Sequence, residues 1–196
     1  MIRMIDKFGL KWKEESRMRR SCGCMFGLAV AVTALSAQGS NPLTTEAQQA
    51  WNRTIGNVVA AAEKMPEDGY SFKPTPESMS FRDIVAHTAD SAMGACSALN
   101  GERKTAGAAG MKTKEELVGA LKAAQAECDK AYAPNDTKGT EMITGGRGGP
   151  RSRLSTLWGN TVHIEHEYAQ MAVHLRLKGL VPPSSEGRGG MGRGRG

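Results

Sequence analysis

The stretch VHIEHEYAQ (162–170) places two histidines and two glutamates within five positions. Imidazole nitrogens and carboxylate oxygens are ligands for Zn²⁺, Mn²⁺, Fe²⁺ and Ni²⁺. His163 and Glu167 are four residues apart, so on a helix they share a face and can converge on one ion. A row of polar side chains is also typical of an ordinary solvated helix face. The spacing alone leaves both interpretations open.

A third ligand must come from another part of the chain. His87 is the one histidine outside the region of residues 163–174, and it follows the apolar residues Ile84-Val85-Ala86. Two histidines and one carboxylate leave coordination positions open for water or a substrate, as a catalytic metal site requires. The alternative for His87 is a histidine that only packs at the edge of an apolar stripe.

Four segments have the apolar spacing and the end signals of amphipathic helices. Capping patterns predict helix starts at Thr45, Ser80 and Thr113, and a fourth helix is predicted over about residues 152–178. These helices predict an all-α protein with the architecture of a four-helix bundle. The glycine-rich segment 145–150 lacks the spacings of phosphate-binding loops, so we interpret it as part of a flexible linker over about residues 134–151.

The first 37 residues have the parts of an export signal. Two arginines precede an apolar run over residues 25–35, and small residues follow it. The run is too short for a comfortable transmembrane span, although an uncleaved anchor is the alternative. Translation can begin at Met1 or at Met18. We expect a signal peptide over 1–37, a bundle over 38–185, a disordered Arg/Gly tail over 186–196, and a periplasmic or secreted protein.

The formal charge of +6 is confined to the two ends of the chain. Residues 1–37 carry seven basic and three acidic side chains, residues 186–196 carry three and one, and the body carries sixteen of each. Nucleic-acid-binding domains usually have a basic body, so nucleic acid is not an expected partner, although a short Arg/Gly tail can bind RNA. We expect a small-molecule substrate and no stable membrane span after signal cleavage. A homodimer is left open.

Three segments resemble the DinB-like (DinB/YfiT-like) superfamily of metalloenzymes. They read YSFKPTPE (70–77), SFRDIVAHTAD (80–90) and LRLKGLVPPSS (175–185), and the resemblance extends over about residues 45–185. It implies a four-helix bundle with a long crossover between helices 2 and 3, which then run parallel. It also implies a divalent metal such as Zn, Ni, Mn or Fe, held by one histidine on the second helix and two histidines four apart on the last.

His87 matches the first implied ligand position and His163 the second, whereas the third falls on Glu167 instead of a histidine. Glu167 can still ligate through oxygen, His166 can take its place, or the site can be degenerate and empty. Asp90 lies one turn beyond His87, where it can accept a hydrogen bond that supports this ligand, with a solvent-facing aspartate as the alternative.

Signal cleavage would leave Cys96 and Cys128 as the only cysteines. An even number in an oxidising compartment favours a disulfide, with two unrelated buried thiols as the alternative. The parallel helices 2 and 3 that the resemblance implies would bring the two residues to similar heights, so it predicts a Cys96–Cys128 disulfide.

The resemblance further implies a metal-dependent enzyme, either a thiol-dependent transferase or a hydrolase, because a metal lowers the pKa of a bound thiol or water. Export argues against an intracellular thiol as cosubstrate, so both chemistries stay open. The sequence indicates neither a substrate nor catalytic residues. The alternative is a non-catalytic exported bundle with a degenerate metal site that binds a ligand or a partner, and Glu167 is its best support.

Overall fold

The computed structural model describes residues 41–144 and 149–186. The predicted signal peptide, four residues of the glycine-rich segment (145–148) and the Arg/Gly tail from residue 187 lie outside the described residues. The helices are α1 (Pro42–Lys64), α2 (Phe81–Leu99), α3 (Lys114–Ala131), α4 (Asp136–Thr140) and α5 (Arg153–Leu177). Within the described ranges, three short 3-10 helices are formed by Glu67–Gly69, Ala108–Gly110 and Pro183–Ser185. In the described part of the chain, no helix is both long enough and apolar enough to cross a membrane.

The four long helices form a bundle in which α2 and α3 run parallel. Near the starts of both helices, Arg82 Nη2 donates to the carbonyl oxygen of Met111 at 2.8 Å. Near their ends, Asn100 Nδ2 donates to the carbonyl oxygen of Glu127 at 2.9 Å. The connection between α2 and α3 therefore returns along the length of the bundle. The predicted all-α four-helix bundle with a long crossover is confirmed.

Helices α2 and α5 run antiparallel, and they position the candidate site. At one end, His174 Nε2 lies 3.1 Å from the carbonyl oxygen of Met79, just before α2. At the other end, Arg153 Nη1 donates to the carbonyl oxygen of Leu99 at 2.8 Å. Side chains in the middle of α2 consequently face side chains in the middle of α5.

The core relies on aliphatic side chains and a few aromatic ones. The rings of Trp51 and Tyr132 stack with their centroids 4.9 Å apart, which joins α1 to the end of α3. Burial raises the pKa of the Tyr132 phenol, although Thr161 and Asn160 act in the opposite direction. Its hydroxyl donates to the carbonyl oxygen of Leu157 at 2.7 Å. This network links α3 to the helix that carries His163.

The start of α1 differs from the prediction. The helix begins at Pro42, not at Thr45, and the expected local capping box does not start it. Instead, the carboxylate of Asp136 on α4 accepts hydrogen bonds from the backbone N–H groups of Leu43 (3.1 Å) and Thr44 (2.8 Å). These are N–H groups of the first turn, which has no acceptors within its own helix. A distant residue thus replaces the local cap.

The other helix starts agree with the sequence. Ser80 accepts a hydrogen bond from the backbone of Asp83 at the start of α2, and Thr113 and Glu116 form a complete capping box on α3. Ser152 accepts from Ser155 at the start of α5.

The segment interpreted as a flexible linker is partly regular. It contains α4 and a small antiparallel sheet in which β1 (Met142–Ile143) pairs with β2 (Arg151–Ser152). The interpretation was therefore wrong for these residues, because the contacts of Asp136 with α1 order a segment whose own sequence shows no helical periodicity.

Candidate metal centre

Three metal-ligating side chains from two helices meet between α2 and α5. The Nε2 atoms of His87 and His163 lie 3.2 Å apart, and the two rings are nearly perpendicular. Glu167 Oε1 lies 3.8 Å from His87 Nε2 and 3.9 Å from His163 Nδ1. One ligand atom from each residue falls within 4.8 Å of the others. The structure thus brings together the three residues that the sequence singled out.

Glu167 is the buried member of this group, with only 4% of its surface exposed. Gln170, one turn further along α5, donates from Nε2 to Glu167 Oε2 at 3.0 Å. This hydrogen bond turns the other oxygen, Oε1, toward the two imidazole rings. A buried carboxylate is costly unless a cation or several donors compensate its charge. The two imidazole side chains are 46% and 40% exposed, so solvent or a ligand can reach the site from outside.

The donor set fits a divalent cation. At metal–ligand distances of about 2.0–2.1 Å, neighbouring donors around a tetrahedral ion are about 3.3 Å apart. The two Nε2 atoms are 3.2 Å apart and Glu167 Oε1 is 3.8 Å from His87 Nε2, both near this value. With one donor atom taken from each residue, all three lie within 4.8 Å of one another, so the side chains must move closer together to hold an ion. Two neutral imidazoles and one carboxylate suit Zn²⁺ and first-row ions such as Ni²⁺, Mn²⁺ and Fe²⁺, and they leave positions open.

His166, the alternative ligand, is exposed on α5 and is not part of the group that His87, His163 and Glu167 form. From the sequence alone, His166, three residues after His163, and Glu167, four residues after it, were both possible third ligands. The geometry of α5 distinguishes them, because it directs Glu167 into the bundle and leaves His166 on the surface.

Asp90 has a different role from both interpretations made from the sequence. Its carboxylate accepts hydrogen bonds from Thr105 Oγ1 at 2.9 Å and from the backbone N–H groups of Ala108 (3.2 Å) and Ala109 (3.1 Å). These contacts hold the crossover against α2 and do not involve His87. Burial opposes ionisation of Asp90, but the hydrogen bonds from Thr105 and the crossover backbone outweigh it, and its pKa is lowered.

We expect Asp90→Asn to lower the free energy of unfolding by about 1 kcal/mol at neutral pH, because two backbone donors lose a charged acceptor. A lowered carboxylate pKa contributes stability that is present above the unfolded-state pKa and lost as pH falls through the folded-state pKa. The difference between variant and wild type should therefore shrink below about pH 4. Urea unfolding from neutral pH to below about pH 4 measures this difference in the free energy of unfolding. Asp68→Asn is the control, because Asp68 is exposed. An equal difference at acidic and neutral pH would contradict the prediction.

Two polar neighbours of the site had no role in the sequence interpretation. Ser91 Oγ lies 3.4 Å from His87 Nε2, and Gln170 orients Glu167. Each follows its partner by one helical turn, at spacings of four and three residues. That spacing was the signal that could have identified them once the helices were assigned.

The predicted Cys96–Cys128 disulfide is present and joins α2 to α3, with the two Cα atoms 4.9 Å apart. Both cysteines are fully buried. Asn160 on α5 donates from Nδ2 to Cys96 Sγ at 3.7 Å and to the Tyr132 hydroxyl at 3.2 Å. The disulfide therefore lies against the same helix that carries His163.

Comparison with known proteins shows which proteins share this architecture. A DinB-like protein from Bacillus cereus ATCC 10987 has a crystal structure that aligns with 71% of this chain and 95% of its own, at a TM-score of 0.59 and 16% sequence identity. That likeness shows the shared fold. No curated protein matches the chain. Residues 50–171, which contain His87, His163 and Glu167, match the sequence profile of the DinB superfamily. The chain therefore belongs to the DinB superfamily.

Proposed function

We propose that the protein binds one divalent metal ion through His87, His163 and Glu167 and is an exported metal-dependent enzyme acting on a small molecule. The observation that carries this proposal is the convergence of three donor side chains from α2 and α5 within 4.8 Å of one another. The fold positions them together although His87 lies 76 residues before His163.

The surroundings of the three residues support a functional role. Glu167 is buried with Oε1 directed at the histidines, and Gln170 holds its other oxygen. The exposed sides of His87 and His163 leave room for a substrate. When bound, a divalent ion at such a site polarises a substrate oxygen or lowers the pKa of a bound water or thiol. Both thiol-dependent transfer and hydrolysis are compatible with this chemistry.

A second candidate is a non-catalytic bundle that binds a ligand or a partner through a degenerate site. The observation that favours it is Glu167 at the position where the resemblance implies a third histidine. The two candidates differ in whether the natural site holds metal.

Export is part of the proposal. It is supported by the signal-like first 37 residues and by the Cys96–Cys128 disulfide, since disulfides persist mainly in oxidising compartments. The N-terminal residue of protein recovered from the periplasm checks this, and a start near residue 38 is expected.

Elemental analysis of protein expressed from the full-length sequence, purified without chelators or metal affinity columns, should find about one metal ion per chain. We expect His87→Ala and His163→Ala each to lose it, because each removes one of three ligands. His166→Ala is the matched control, since it removes an exposed histidine of the same helix and should keep the metal.

Absence of metal in the wild type after dialysis against Zn²⁺, Mn²⁺ and Ni²⁺ would contradict the proposed enzyme and favour the second candidate. Loss of metal in His166→Ala with retention in His163→Ala would instead move the site to His166. Circular dichroism of each variant checks that the bundle is still folded.

A further inference from the structure

A groove begins at the candidate metal centre and continues along α2 and α5 toward the small sheet. Its first part is a cavity of about 460 Å³ whose wall includes His163 and Asn160. Its second part is a cavity of about 650 Å³ that reaches Arg103 on the crossover. Both parts share four lining residues, which are Ser91, Ala95, Arg151 and Thr156. Because Ser91 also contacts His87, the groove is continuous with the site.

Among the residues that the structure describes, those lining the groove include three arginines and no acidic side chain. Arg103, Arg151 and Arg153 line it, each from a different segment: the crossover, β2 and the start of α5. The body of the chain has equal numbers of basic and acidic residues, so a groove lined by three arginines and by no acidic residue among those described is a local departure. Bringing like charges together is unfavourable unless an anion compensates them.

Two of the three guanidinium groups are available to a ligand. Arg153 donates to the carbonyl oxygen of Leu99, which fixes its position. Among residues 41–144 and 149–186, the side chains of Arg103 and Arg151 have no hydrogen bond or ion pair, and both residues are exposed. Guanidinium groups bind carboxylate and phosphate oxygens in pairs of parallel hydrogen bonds.

The remaining walls suit a short carbon skeleton. Ala95, Ala98, Leu99 and Ile143 contribute apolar surface to the cavity that the three arginines line, and Ala95 also lines the part that includes His163. A ligand that fills the groove would therefore place an anionic group at one end and its reacting group at the other. The arginines would fix its orientation relative to His87 and His163.

We propose that the groove binds a small organic anion, whose carboxylate or phosphate group contacts Arg103 and Arg151 while its other end reaches the site of His87, His163 and Glu167. This substrate class rests on the proposed metal-dependent function. The binding of the anionic group depends on the arginines alone and can be measured separately.

Isothermal titration calorimetry of the metal-treated full-chain protein with glutarate and with methyl phosphate tests the inference. We expect at least one probe to bind saturably, and Arg103→Gln and Arg151→Gln each to weaken binding by about tenfold or more, the effect of a lost charged hydrogen bond. The probe that binds more tightly shows whether the groove prefers a carboxylate or a phosphate group.

Arg53→Gln is the matched control, since Arg53 is an exposed arginine lining a separate cavity between α1 and α5. The affinity of Arg53→Gln for the probe should stay within about twofold of the wild-type value. This variant removes the same charge, but at a distance over which solvent and salt screen it.

Metal content of the same variants separates this inference from the proposed function. Unchanged metal with weakened probe binding in Arg103→Gln and Arg151→Gln supports both. If the wild type holds no metal but its probe binding still depends on these arginines, the groove assignment stands and the enzyme proposal fails. If metal is bound but no probe binds, or Arg53→Gln weakens binding as much as the other two variants, the groove assignment is overturned.

Discussion

Replacing both cysteines in Cys96→Ala/Cys128→Ala is expected to lower the free energy of unfolding by about 3.5 kcal/mol. The two residues are 32 positions apart, and a cross-link over that separation removes chain entropy from the unfolded state by an amount of this size. Both cysteines are fully buried, so the alanine variant leaves at most a small cavity in place of two sulfur atoms. Urea unfolding of the oxidised wild type and the variant measures the difference.

The wild type under reducing conditions provides the control for this experiment. Its stability should fall toward that of the double alanine variant, which itself should not respond to the reductant. Two free thiols in the wild type purified without reductant, or a loss below about 1 kcal/mol, would contradict the prediction. Such a result would mean that the contacts between α2 and α3 hold the crossover geometry without the bond.

Local signals predicted the helix starts wherever the cap lies next to the helix it caps. Ser80 and Thr113 accept hydrogen bonds from residues three positions further along, and this pattern is visible in the sequence. The start of α1 was not predictable in this way. Its acceptor, Asp136, is 92 positions from Thr44, and only the folded bundle brings them together. The same long-range contact explains why α4 was missed.

In the candidate site as well, features set by neighbouring residues were predictable and contacts with distant segments were not. The spacing of His163 and Glu167 and the isolated position of His87 identified the three candidate residues, and the family resemblance favoured a metal site over a solvated helix face. Asp90 was assigned to His87 because the two are one turn apart, whereas the crossover supplies its true donors. Arg103 lies on the crossover, whereas Arg151 and Arg153 lie where β2 meets α5, so no local pattern could have joined all three to the site.

Glu167→Gln is expected to have opposite effects on the metal-free protein and on metal binding. Glutamine keeps the shape of the side chain, and Gln170 can still donate to its carbonyl oxygen. Without metal, the loss of a buried charge should raise the free energy of unfolding by about 1 kcal/mol. Metal affinity should fall by more than a hundredfold, since even a residue that only supports a ligand typically contributes tenfold to a hundredfold.

Thermal unfolding with and without Zn²⁺ reports both effects at once. At a metal concentration a hundred times the dissociation constant, the wild type should gain about 2.7 kcal/mol, and Glu167→Gln should lose most of this gain. Glu165→Gln is the matched control, because Glu165 lies on the same helix but accepts its hydrogen bond from Thr54 on α1. It should keep the metal-dependent gain within about 0.5 kcal/mol of the wild type.

The variant Glu167→His then distinguishes a natural site that binds metal from a degenerate one, because it introduces the third histidine that the family resemblance implies. If the natural site binds metal, the change adjusts an affinity that is already measurable and can alter which ion is preferred, since histidine replaces an oxygen ligand with a nitrogen. If the natural site is degenerate, Glu167→His should create binding that the wild type lacks. The proposed function requires the first result, and the buried carboxylate directed at two imidazole rings is the physical reason to expect it.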